Sequence, residues 1–133
     1  MFSIHSVNSD REIIFSSYQD EQFQVEFKGS GITALIGVWI GGKDYSQSLN
    51  DFFQELATFT NPWKGSKDWE SLEGELSLSV TCATLGQAIF LVEIHYRAGS
   101  PEAWLVQGSI VTELGQLEKI AREAKVFFEK ESA

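Results

Sequence analysis

The chain has 133 residues, 43% of them hydrophobic and 13% aromatic, which suffices for one domain with a substantial core and argues against disorder. Nineteen Asp and Glu against ten Lys and Arg give a formal charge of -9, which would repel a nucleic-acid backbone or an anionic membrane surface and suits a basic partner. The longest apolar run, ITALIGVWI from Ile32 to Ile40, falls short of the roughly 20 residues that a bilayer span needs.

The opening MFSIHSVNSDREIIF lacks the basic and continuous apolar segments of a secretory signal, and the single cysteine, Cys82, cannot form an intramolecular disulfide. A cytoplasmic location is the expectation. Glu12 to Tyr18 reads as a first strand with weak alternation, and the residues before it carry no assignment. Glu21 to Lys28 alternates Phe23, Val25 and Phe27 against Gln22, Gln24 and Glu26, the signature of a half-buried strand. A Gly-Ser-Gly turn follows, then the branched run Ile32 to Ile40, ended by Gly41 and Gly42.

From Ser48 the period becomes helical, with Leu49, Phe52, Phe53, Leu56 and Phe59 on one stripe and Ser48 as the expected cap. Three further strands are predicted near Leu72 to Cys82, Ala88 to Arg97 and Ala103 to Val111. Thr112 then caps a helix with the stripe Leu117, Ile120, Ala121, Ala124 and Phe127 and an i,i+4 pair of Glu118 with Arg122. The order βββα-βββα predicts an α+β fold: one antiparallel sheet of about six strands with both helices on one face. The pattern repeats at an offset of 67 to 68, as from Phe23, Val25 and Phe27 to Phe90, Val92 and Ile94, and is compatible with an internal duplication. A single domain over 1–133 is expected, with half-units at about 11–60 and 69–131.

FFQELA at Phe52 to Ala57, Trp63 in the next loop and WESLEGELSL at Trp69 to Leu78 resemble an uncharacterised bacterial domain-of-unknown-function family with an FF-x-x-LA helix and a W-x-S-L-x-G-E-L strand motif. The likeness covers roughly residues 49 to 128 and implies no activity. Physically, Trp69 is expected to plug the core, Leu72, Leu76 and Leu78 to continue its inward face, and Gly74 to mark a bulge.

Each candidate for chemistry has a plainer account. Gly29-Ser30-Gly31-x-x-Ala34 has the letters of a dinucleotide loop but is followed by a strand pattern, so a turn is expected. Glu73 and Glu75, about 7 Å apart on one strand face, could share acid and base roles, yet Ser77, Ser79 and Thr81 beside them describe a solvated face. Glu93 and His95 could form an acid-base pair or a surface cross-strand contact. His5 and His95, the two histidines, have no metal-ligand spacing, and Cys82 follows its strand's apolar parity as a small hydrophobe.

The reading is a non-catalytic protein-binding module without metal or cofactor, possible in an immunity-type or regulatory role, with no nucleic-acid or membrane partner. Its partner surface is expected on the sheet face opposite the helices, with Gln24, Glu26, Trp39, Glu75, Glu93, His95 and Gln107, and with Trp63 as a loop anchor. Alternatives are a small-molecule or enzymatic site between the Trp63 loop and the sheet, using Glu70, Glu73 or His95, and a homodimer formed through an edge strand.

Overall fold

The computed structural model describes residues 1–41 and 47–132, with side chains through 129, and these described residues form eight strands and two α-helices. The first four strands are β1 (Phe2–His5), β2 (Glu12–Gln19), β3 (Gln22–Gly29) and β4 (Ile32–Trp39), followed by helix α1 (Ser48–Leu56). The second four are β5 (Trp63–Glu70), β6 (Leu76–Cys82), β7 (Gln87–Tyr96) and β8 (Trp104–Glu113), followed by a 3-10 turn (Leu114–Gln116) and helix α2 (Leu117–Ser132). Gly42 lies outside the described residues.

The fold is α+β and antiparallel, but the single six-stranded sheet is corrected to two four-stranded sheets, ordered β1-β2-β3-β4 and β5-β6-β7-β8. The difference comes from β1 and β5, neither of which the sequence announced. Each sheet is a meander of neighbours, and the element order is ββββα twice. Phe2 and Ile4 of β1 and Trp69 of β5 turn inward and add to the core.

That core is contiguous and shared by both sheets and both helices. Phe23, Val25, Leu76, Leu78, Phe90 and Val92 lie in it with Phe52, Phe53, Leu56, Leu117, Ile120 and Phe127. Burying side chains of this size removes apolar surface from water at about 25 cal/mol per Å², the main favourable contribution to folding. The sheets approach closely where the Phe27 ring fills the space of a Cβ on Gly108: such an atom would lie 2.7 Å from Phe27 Cζ. Elsewhere the helices supply the filling, with Phe53 edge-on to Phe2 and Phe15 and Phe128 edge-on to Phe23.

The sheets are also clasped at their margins. Val7 N–H donates to Val111 O at 2.8 Å and the Arg11 guanidinium to Ser109 O at 3.1 Å, tying the start of the chain to β8. Weak alternation in β2 has a cause: Ser17, at φ 55, is an extra residue that shifts the register between Ser16 and Gln19 and returns Tyr18 to the interior. Between β3 and β4, Ser30 and Gly31 have φ 53 and 81, the left-handed pair of a tight two-residue hairpin turn.

Three local expectations are corrected. Leu72, Glu73 and Gly74 form the β5–β6 turn, not a strand, so Leu72 is exposed and Gly74, at φ 77, is a turn residue. The first helix has Gln47 as its N-cap with no side-chain cap, and Ser48 Oγ instead accepts a hydrogen bond from Trp69 Nε1 at 3.1 Å. Thr112 is buried in β8 and donates to Ala88 O at 3.1 Å, because the strand continues to Glu113 before the 3-10 turn starts α2.

Candidate functional site

Alternation along β4 turns Ala34, Ile36 and Val38 inward and Leu35, Gly37 and Trp39 outward. Trp39, 38% exposed, stands at the strand's end, where its N–H donates to Glu75 Oε2 at 3.0 Å. The other oxygen of Glu75 accepts from Ser71 Oγ at 2.7 Å, and Leu76 N–H donates to that same hydroxyl at 3.1 Å. The W-x-S-L-x-G-E-L segment is therefore a hairpin corner. Trp69 plugs the core, Ser71 staples the turn, Gly74 supplies its left-handed residue, and Glu75 carries the corner across to β4.

This contact opens a seam between the sheets. A groove of about 400 Å³ is lined by Leu35 and Gly37 from the first sheet and by Glu75, His95, Tyr96 and Arg97 from the second. At its second-sheet end Tyr96 stacks on Trp104, rings 5.5 Å apart and 14° from parallel, with the Arg97 guanidinium 5.4 Å from the Tyr96 ring. Leu105, the cross-strand neighbour of His95, is 52% exposed. One exposed leucine, Leu35, the Tyr96 ring and Arg97 thus line one shallow seam, with Trp104 stacked on Tyr96, Trp39 beside Glu75, and Leu105 on the opposite face of the second sheet from Trp104. Aromatic residues and arginine are the types that dominate binding energies at interfaces.

The expected partner face divides in two. Gln24 and Glu26 lie on the first sheet, Glu26 opposite Leu35, whereas Glu93, His95 and Gln107 lie on the second, with Gln107 opposite Glu93. The seam brings Trp39, Glu75 and His95 together, Glu93 adjoins through His95, and Glu26 sits one strand away. Glu93 Oε2 lies 3.8 Å from His95 Nε2 and accepts from Ser77 Oγ at 3.4 Å. The carboxylate stands between hydroxyl and imidazole, so the imidazole does not reach this serine and the trio is a surface polar contact.

Trp63 stands in a strand, not in a loop. It opens β5 opposite Cys82, packs its ring 4.9 Å from Phe59 and is half-buried, with its Nε1 buried and without a hydrogen-bond partner. Lys67 lies over the same Phe59 ring at 4.9 Å. Glu73 is exposed in the turn while Glu75 is engaged at the corner, so the two do not act as a carboxylate pair. Burial raises the Cys82 thiol pKa above its ordinary 9.0, consistent with a packing role.

One polar chain escaped the sequence. Ser3 Oγ lies 2.9 Å from His5 Nε2, His5 Nδ1 3.0 Å from Glu12 Oε2, and Lys28 Nζ 3.4 Å from Glu12 Oε1. Ser3 and His5 at i,i+2 would have shown it, had β1 been assigned. The order hydroxyl, imidazole, carboxylate is that of a nucleophile relay, but the His5 side chain is 69% exposed, and a water-bathed imidazole lacks the dry setting that makes such a relay effective. Among the described residues no group of three or more His, Cys, Asp and Glu is placed to hold a metal. No helix among them is long and apolar enough to cross a membrane.

No curated protein and no solved structure matches this chain. Residues 5–131 match a protein family described as a family of unknown function, DUF6228, a span that takes in β2 to β8, nearly all of α2 and the last residue of β1. The chain belongs to that family of unknown function.

Proposed function

We propose that this protein is a non-catalytic binding module of the bacterial cytoplasm that engages a basic protein through the seam between its sheets. The observation that carries the reading is the open groove lined by Leu35, Tyr96 and Arg97, with Trp104 stacked on the Tyr96 ring and Trp39 exposed beside Glu75. These rings are partly exposed, and apolar groups rimmed by charge around an open groove are how a protein interface looks before it is occupied. Glu26, Glu75 and Glu93 stand around it on a chain of net charge -9, so a basic partner is drawn in by the long-range field and oriented by the rim. An immunity-type role, neutralising a basic toxin or nuclease, is the specific form this chemistry suggests, with neither nucleic acid nor membrane as the partner.

The test is capture from the native cell with the purified chain as bait, compared with the Trp39→Ala/Trp104→Ala variant. A basic protein retained by the first and lost by the second supports the reading. Trp39→Ala alone should leave the unfolding midpoint nearly intact and weaken binding to that partner by at least about 1–2 kcal/mol. Glu26→Lys with Glu93→Lys should mainly slow association. Equal capture by both baits would move the interface elsewhere.

A further inference from the structure

The outer margin of β1 has the make-up of a second binding site, independent of the seam. Among the described residues β1 is the edge of its sheet and pairs in a ladder with β2 alone. Ser6 N–H donates to Arg11 O at 2.9 Å, and the register of β1 on β2 continues through that pair. Alternation of an antiparallel ladder then assigns the bonds: Ile4 and Phe2 face β2 with their main-chain groups, whereas Ser3 and His5 turn theirs outward. Val7 has the same phase as Ser3 and His5, and its N–H does reach outward, to Val111 O. Below Val7 no ladder continues, although the end of β8 stays beside His5 as far as Glu113.

A groove follows this margin. Its wider part, about 760 Å³, lies between Phe2, Ser3 and Ile14 on the sheet and Arg122, Val126 and Phe127 on α2. Its narrower part, about 320 Å³, continues past His5 to Glu113, Lys119 and Ile120, and Ser3 and Glu123 belong to both. Outward-facing amide and carbonyl groups beside a helix and a partly apolar trough are the elements of strand addition, in which main-chain bonds give affinity and alternate side-chain pockets give selectivity. Proteins usually blunt such edges. The outer strand of the other sheet is so treated: β5 carries Lys64 and Lys67, with a register shift between Trp63 and Lys67. β1 has no such bulge along Phe2 to His5.

The geometry points to β1 as a docking edge for an extended, uncharged peptide segment of a partner protein, added antiparallel to Phe2–His5 beside α2. Ser3, and His5 beside the end of β8, supply up to four main-chain hydrogen bonds in that orientation, and the edge accommodates about four or five residues at roughly 3.4 Å each. The charge of the occupant follows from the lining. Glu12, Glu113 and Glu123 are balanced by Lys28, Lys119 and Arg122, unlike the acidic chain as a whole, so the trough favours neither sign. The exposed Val126 and the rim of Phe2 and Phe127 fit an apolar side chain on alternate positions of the incoming strand.

The experiment is a selection of phage-displayed random decapeptides on the full chain, with affinities of the enriched peptides measured on wild type, Ser3→Pro and Val126→Arg. Proline at Ser3 deletes an outward N–H and spares the bonds to β2, an arrangement that edge strands tolerate. Val126→Arg, on an exposed helix position, blocks the trough without touching the strand, so the test survives if Ser3→Pro does not fold. Enriched peptides should alternate apolar residues without net charge and should bind Val126→Arg, and a folded Ser3→Pro, at least tenfold more weakly than wild type. Absence of enrichment, or affinities unchanged in Val126→Arg, would overturn the proposal. So would dependence on Trp39 in place of β1, which would assign the peptides to the seam.

Discussion

Glu75→Ala should loosen the joint between the sheets. The carboxylate accepts two hydrogen bonds, from Trp39 N–H at 3.0 Å and from Ser71 Oγ at 2.7 Å, and thereby links the end of β4 to the β5–β6 turn. A bond to a charged acceptor contributes about 1.5–3 kcal/mol when buried. Glu75 is only half-buried, and with the side chain gone water can reach both donors, so the sum is discounted to about 2 kcal/mol. For a chain of this size that corresponds to a fall in Tm of about 4–8 °C. Urea unfolding gives the free energy, and hydrogen exchange of the Trp39 amide gives the locality, since that amide alone on β4 loses a carboxylate partner. Glu75→Gln keeps an acceptor for Trp39 N–H and should recover more than half of the loss. A Glu75→Ala midpoint within about 1 °C of wild type, with Trp39 exchange unchanged, would refute the clasp and return Glu75 to the free surface.

Trp69→Ala should cost about 3–5 kcal/mol in chemical unfolding, since it empties a buried indole site and strands Ser48 Oγ, and Trp69→Phe should cost less. Gly108→Ala should destabilise by about 1–3 kcal/mol, because the buried Phe27 ring cannot withdraw, and Phe27→Leu in the same chain should relieve part of that cost. Cys82 should resist alkylation in the native state. With its folded pKa raised above the unfolded value, its contribution to stability is complete below about pH 9 and is lost as pH rises through the higher folded value, so Cys82→Ala should flatten the alkaline limb of a pH–stability profile measured by thermal unfolding.

Face parity was legible residue by residue. Phe23, Val25 and Phe27, then Leu76, Leu78 and Val80, announce their inward faces because each stands in an uninterrupted apolar alternation, and both helical stripes are equally plain except at Phe59, which lies beyond the end of α1 and is only half-buried. Strand neighbours were not legible, since alternation says that one face is buried and is silent about which strand lies beside it. β1 was missed because FSIH holds only two inward residues, too few to display a period. β5 was missed because WKGSKDWE places Gly65, at φ 75, and Lys67 between its two tryptophans, so the run reads as a polar loop. These two strands turn one sheet into two, and with that change the candidate site moved from a broad face to a seam. Trp104 and Tyr96 lie on different strands and become a pair only through the β7–β8 register. The tight corner at Ser71 to Glu75 was hidden by the apolar Leu72, which looked like a strand residue and is a turn tip.

The clasp of Val7 and Ser6 on Val111 has a consequence for how the chain reaches this form. Ser6 and Val111 are separated by 105 positions, and Arg11 and Ser109 by 98. Contacts of such range are slow to form, because the intervening chain must close before they contribute any stability. On a ribosome the first sheet emerges long before its fastening strand; Phe53 of α1 can meet Phe2 and Phe15 early, but Phe23 and the remaining side of Phe2 wait until Phe128 and Phe127 arrive on the last helix. The order of synthesis therefore leaves a greasy, half-finished sheet for most of the chain's making, and the final helix acts as the lid that ends that vulnerable interval. Stalled chains ending before Leu117 should accordingly be degraded or aggregate, and their persistence as protease-resistant monomers would contradict this timing.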